Sequence, residues 1–196
     1  MPPRIEGASP TGGDLETRFG SIGRRGIRLT MFWLLVILVV VADQATKAAA
    51  IRVIERDGAH TLIPYLVDLE LVENTGAAFS IGQGATVLFT LIAIAFLVGA
   101  VLLVWREDDM PLGLVVPVAM VAGGGVGNMI DRVVKGSVTD FLSFSFVKFP
   151  VFNVADICVT VGVVLCVIGF WLWDVRHPED AHVSLSSAEN NGDIRL

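Results

Sequence analysis

Five carboxylates, Asp43, Glu73, Asp131, Asp140 and Asp156, stand in or beside stretches apolar enough to enter a lipid bilayer. An ionisable group at membrane depth costs at least a few kcal/mol, so it persists only where it pairs, lines water or does chemistry. Two carboxylates held close together cannot both ionise, and one keeps its proton at neutral pH. The ionised member can take a proton from water while the protonated member polarises a carbonyl. That combination hydrolyses a peptide bond with neither a metal nor a covalent intermediate. Competing chemistries lack their residues. His60 is the only histidine near this polar layer, too few ligands for a zinc protease. Thr75 and Ser80 read as turn hydroxyls with no base beside them. No metal and no cofactor is expected.

The elements that must hold these groups are membrane spans. The chain has 196 residues, 54% of them hydrophobic, and a mean hydropathy of +0.70, well above soluble usage. The excess lies in four blocks near 30–51, 85–105, 112–130 and 154–173, each long enough to cross a hydrocarbon core of roughly 30 Å. The fold class is a membrane all-α protein with four transmembrane helices. It divides into an N-terminal extension at 1–29 without regular structure, a membrane domain at 30–175 and a polar tail at 176–196. Arg18, Arg24, Arg25 and Arg28 precede the first span, while the loop after it sets Arg52 and Arg56 against five acids. The positive-inside bias puts both termini in the cytoplasm and the loops at about 52–84 and 132–153 outside. Arg24-Arg25, the apolar run from Met31 and Ala48-Ala49-Ala50 also outline a cleavable leader. The apolar stretch nevertheless resumes beyond Asp43 and Lys47, which predicts a retained first helix.

The net charge of −6 says little about partners, because much of the acid lies in ends and loops. No basic patch is interleaved with aromatics, so nucleic acid is not an expected partner. Cys158 and Cys166 are eight residues apart on one predicted helix, out of disulfide reach, and read as packing residues. In the first outer loop Val67, Leu69 and Leu71 alternate with Asp68 and Glu70, which predicts a strand of a small extracytoplasmic β-sheet. The second outer loop carries Phe141, Phe144, Phe146 and Phe149 and suits a segment half-buried in the membrane interface.

Topology brings the acids to one level. Asp43 follows Thr30 by thirteen residues, a helical rise of roughly 20 Å, with Lys47 one turn further on the same face. Asn128, Asp131 and Arg132 end the third span, Asn153 and Asp156 begin the fourth, and Asp140 lies between. Each has a plainer reading: Asp43–Lys47 as an ion pair, Asp131–Arg132 as an interfacial pair, Asn153 and Asp156 as helix caps, Asp140 as a solvated loop acid. All four plain readings must hold together for the cluster to mean nothing. Gly123, Gly124, Gly125 and Gly127 beside it allow a backbone or a substrate to approach closely, or simply pack helices. A proton relay or transporter would string acids through the membrane's depth, whereas these gather on one side.

Five blocks, Asp43-Gln44-Ala45-Thr46-Lys47, Glu73-Asn74-Thr75-Gly76-Ala77-Ala78-Phe79, Gly127-Asn128-Met129-Ile130-Asp131-Arg132, Gly136-Ser137-Val138-Thr139-Asp140-Phe141 and Phe152-Asn153-Val154-Ala155-Asp156, together resemble the lipoprotein signal peptidase (signal peptidase II) family. The resemblance covers about residues 30–175. It implies a bacterial inner-membrane aspartic endopeptidase that cuts diacylglyceryl-modified prolipoproteins just before the lipidated cysteine. It carries the catalytic pair to Asp140 and Asp156. It assigns Asp43, Lys47, Asn74, Gly123 or Gly124, Gly127, Asn128, Asp131, Arg132, Phe152, Asn153 and Ala155 to shaping or supporting the site. Membrane lipids are implied partners, and a site within one chain implies a monomer.

Overall fold

The apolar blocks become helices that run past their ends. In this computed structural model the described residues are 12–76, 86–107 and 110–176. The helices are α1 (Gly12–Asp57), α2 (Thr86–Arg106), α3 (Leu112–Lys135) and α4 (Val154–Arg176). Among the described residues these four are long and apolar enough to cross a membrane. The first departs from the extension without regular structure expected at 1–29, because α1 is helical from Gly12 onward. After Pro10 no proline occurs until Pro64, and Glu16, Arg18, Arg24 and Arg25 are good helix formers, so nothing stops the helix where its apolar block begins. It also continues without a break through Ala48–Ala50. Ala77, Ala78, Phe79 and Ser80, and the tail beyond Arg176, lie outside the described residues.

Helix α3 is the centre of the bundle, with α1, α2 and α4 each packed on it. Of its most apolar stretch 61% is buried inside the protein, against 11% for α2 and for α4, whose remaining faces are left for lipid. Glycines set how close the neighbours come. A Cβ at Gly123 would lie 2.8 Å from Val39 Cβ, and one at Gly124 only 2.5 Å from the Ala155 carbonyl oxygen. Towards the other end of α3, Leu114, Val115, Val118 and Ala119 pack with Phe32, Val36, Ala100 and Val104 into an apolar core.

Among the described residues three antiparallel strands lie at the polar end in the order β1 (His60–Ile63), β2 (Val67–Asn74), β3 (Val138–Phe144). The predicted strand is thus present. Its third partner comes from the aromatic loop, which is less loop-like than its composition suggests. Helix α3 reaches Lys135 and stops at Gly136 (φ 82°), where glycine takes the left-handed conformation and its N–H bonds the Arg132 carbonyl. The β-branched Val138 and Thr139 then start β3. Phe141, read as interfacial, is buried with Ala50 and Leu69 beneath the sheet.

The alternation of β2 breaks once. Leu69 pairs with Leu142 but Val72 with Asp140, so β2 carries one extra residue between them, a bulge. Beyond it the faces exchange: Val72 and Asn74 share the face of Asp140, and Leu71 is left exposed.

Candidate active site

Helix α1 contributes a buried ion pair. Asp43 and Lys47, four residues apart, are both buried, with Lys47 Nζ 2.9 Å from Asp43 Oδ2 and 3.0 Å from Asp131 Oδ2 of α3. Gly127 makes room for this pair, since a Cβ there would lie 2.6 Å from Asp43 Oδ2. The other oxygen of Asp43 accepts the N–H of Ala155, so an acid from α1 caps the start of α4 (3.0 Å). Asp131 is further held by Lys135 at 3.7 Å and by the Thr139 N–H at 3.1 Å. Its partners are therefore lysines, not the neighbouring Arg132, because adjacent residues on a helix point in different directions. Arg132 instead donates to the Gly76 carbonyl (3.1 Å) and lies over the Phe89 ring, 5.2 Å from its centre.

Asp140 and Asp156 are held differently. Asp140, on β3, is buried and accepts from Asn153 Nδ2 at 2.7 Å and from Asn74 Nδ2 at 2.9 Å. The β2 bulge puts Asn74 on the face that allows the second bond. Asp156, in the first turn of α4, accepts from Asn128 Nδ2 at 2.8 Å and from the Asn153 N–H at 3.1 Å. Asn153 Oδ1 in turn accepts the Asp156 N–H, the reciprocal geometry of a capping box. The capping reading of Asn153 and Asp156 thus holds, and it aims both side chains into the site rather than away from it. Burial pushes the Asp140 carboxyl up to about 6; the Asn74 hydrogen bond opposes this, the nearby Asp156 carboxylate adds to it and Asn153 again opposes.

Asp140 and Asp156 line one cavity of about 410 Å³ together with Asn74, Asn128, Arg132 and Phe152. Its remaining wall is apolar: Phe144 and Phe149 on one side, Ile157, Val159 and Val161 of α4 on the other. Phe144, Phe149 and Phe152 pack ring against ring with centres 5.0–6.0 Å apart. Ile157 and Val161 are also exposed on the outer surface of the helix bundle, so the cavity runs out to the lipid-facing side. Two acids in a half-apolar cleft that opens sideways can hold a water against a peptide whose apolar part stays in the membrane.

Of the residues singled out from sequence, Asp140, Asp156, Asn74, Asn128, Arg132 and Phe152 reach the cavity. Asp43, Lys47, Asp131, Asn153, Ala155, Gly124 and Gly127 stand behind it. Glu73 points to the other face of β2 and accepts a hydrogen bond from Ser137. Sequence reasoning passed over Gln44, whose Nε2 donates to Asp43 and to the Gly127 carbonyl at 3.1 and 3.2 Å. An amide inside an apolar span was its signal. Thr160 and Val161 were also missed, although Thr160 follows Asp156, and Val161 follows Ile157, by four residues, one turn further along α4.

The model of the family described as signal peptidase (SPase) II matches residues 35–172. The lipoprotein signal peptidase of Streptococcus agalactiae serotype Ia is 35% identical over 138 residues, spanning 70% of this chain and 90% of that protein. That of Parasynechococcus marenigrum is 38% identical over 134 residues, 68% of this chain and 84% of the relative. A solved bacterial membrane enzyme superposes with a TM-score of 0.66 at 31% identity, covering 74% of this chain and 90% of its own.

Proposed function

The chain belongs to the signal peptidase II family, a membrane protease family that processes lipoprotein signal peptides, and on that premise we propose that Asp140 and Asp156 are its catalytic pair. One observation carries this: of Asp43, Asp131, Asp140 and Asp156, only the last two face the cavity, while Asp43 and Asp131 are taken up by Lys47. In the reaction the ionised carboxylate of the pair takes a proton from water, and the water oxygen adds to the scissile carbonyl carbon. The protonated partner gives its proton to the carbonyl oxygen. When the tetrahedral intermediate collapses, the C–N bond breaks and the nitrogen leaves with the proton taken from water. The proton on the former carbonyl oxygen returns to the acid.

The substrate of this reading is a diacylglyceryl-modified prolipoprotein, cut just before its lipidated cysteine. Its signal helix would lie along Ile157, Thr160 and Val161, with its acyl chains in the surrounding membrane lipid. The arginines around residues 18–28 favour a cytoplasmic N-terminus. In that orientation the cavity opens at the outer face of the bacterial inner membrane, where water is available. The membrane unit is 30–175, and one copy suffices because every group of the site comes from one chain.

Asp140→Asn and Asp156→Asn are each expected to lower cleavage of a lipidated prolipoprotein at least ~100-fold, with precursor persisting on a gel, while the variants still insert. Full activity of either would overturn the pair. Asp131→Asn, made alongside, should retain turnover in proportion to the folded fraction.

A further inference from the structure

Resting on the pair proposed above, we infer that Asp156 is its ionised member and Asp140 carries the shared proton, with Asn128, oriented by Lys47, as the positioning residue that sets the difference. The amide of Asn128 has one permitted orientation. Its Oδ1 accepts from the Lys47 ammonium at 2.9 Å and from Asn153 Nδ2 at 3.0 Å, so reversing it would turn an N–H towards a cation and towards another N–H. Asn128 Nδ2 is thereby fixed on Asp156 Oδ1 as a donor, and the Lys47 charge polarises the amide in the direction that favours an anion.

The second oxygen of Asp156 accepts a backbone N–H at the first turn of α4, where the helix dipole also favours negative charge. Asp156 is half-buried, less enclosed than Asp140, and borders the cavity, where water can reach a carboxylate. Asp140 has only two neutral side-chain amides, and it is 2% exposed. Lys47 connects to Asp140 only through Asn153, which competes with the ammonium for the Asn128 oxygen rather than being polarised by it, so burial favours the neutral acid here. The other charges facing the pair are Asp43 on α1, closed by Lys47, Asp131 on α3, closed by Lys47 and Lys135, and the Arg132 guanidinium, which faces both members. None of these separates the two as Asn128 does.

The roles assign the two limbs of the pH profile. Losing a donor raises the pKa of the carboxylate that had accepted from it. Asn128→Ala should therefore move the acid limb of kcat to higher pH, because the ionised base becomes easier to protonate. Asn74→Ala should move the alkaline limb to higher pH, because the protonated partner holds its proton longer. Each shift should be roughly half a pH unit or more, the size of one hydrogen bond. The measurement is turnover of a diacylglyceryl lipopeptide by the reconstituted full chain across pH, with Asp140→Asn and Asp156→Asn as controls. Both controls inactive with the limbs exchanged overturns the assignment and leaves the pair standing; an active control overturns the pair itself. If neither limb moves, the amides do not set the ionisation and the inference fails. Should Asn128→Ala not accumulate in the membrane, Asn74→Ala alone decides, since it lies at the cavity wall, and movement of its acid limb is the contrary result.

Discussion

At one end of α3, Leu114, Val115 and Val118 are closed in by Phe32, Val36, Ala100 and Val104. At the other, Asn128 and Asp131 are closed in by Lys47, Thr139 and Asn153. The first enclosure is held by contact among apolar groups, which is non-directional and survives small changes of shape. The second is held by hydrogen bonds whose donors and acceptors must alternate, so one wrong group leaves several others unmatched. One helix thus joins a tolerant anchor to an intolerant site. Lipid offers no hydrogen bonds to repair the second.

Lys47→Met puts the strongest strain on this contrast. It removes the cation between Asp43 and Asp131, both buried, and leaves Asn128 oriented by Asn153 alone and no longer polarised by a charge. Breaking a buried pair from one side costs roughly 3–5 kcal/mol. A large fall in unfolding midpoint in detergent is expected, with loss of cleavage beyond the loss of folded protein. A Lys47→Met protein as stable as the parent would show that the polar end is as forgiving as the apolar one.

Asp140→Asn should move stability the other way. Its folded pKa, about 6, lies above the ordinary 3.8, so the folded protein holds the proton more tightly than the unfolded chain. The stability this gives is complete below pH 3.8 and lost as pH rises through about 6. On the alkaline limb, above about 6, where Asp140 has given up the shared proton, its buried charge destabilises the fold by up to about 3 kcal/mol on that difference. Asparagine removes the charge, so the inactive variant should melt higher than the parent at pH 7.5 and no higher at pH 4. Equal melting at both would mean that the site is not strained by its own chemistry.

The anchor and the site were not equally legible in the sequence. The spans could be read from apolar blocks because lipid demands them, and Asp43–Lys47 from a four-residue spacing that only a helix makes meaningful. The gathering of Asn128, Asp131, Asn153 and Asp156 followed from helix direction alone. The bulge after Leu69 was not legible: alternation predicts one face for Leu69 and Leu71, and the extra residue is fixed by pairing with a strand seventy residues away. The exchange of faces it causes is what turns Asn74 towards Asp140. The burial of Phe141 was hidden for the same reason, since an aromatic loop and an aromatic strand over a core have the same composition.

The smallest effect is the most discriminating. Gly124 and Gly169 both lie where helices α3 and α4 touch, and a Cβ at either would come within 2.5 Å of an atom across the contact. At Gly169 that atom is Leu114 Cδ2, the tip of a flexible side chain in the apolar end, and a change of rotamer clears it. At Gly124 it is the Ala155 carbonyl oxygen, backbone of the first turn of α4, held by the bond from Ala155 N–H to Asp43. To make room there, the start of α4 must move, and Asn153 and Asp156 move with it. Gly124→Ala is expected to cost about 1–3 kcal/mol, as overpacking does, and to depress kcat among the molecules that remain folded. Gly169→Ala should lie within about 1 kcal/mol of the parent with kcat unchanged. Unfolding midpoints in detergent and turnover per folded enzyme separate the two variants. Equal behaviour would mean that both ends of the α3–α4 contact yield alike, and that the position of the Asp156 turn is not what this close packing fixes.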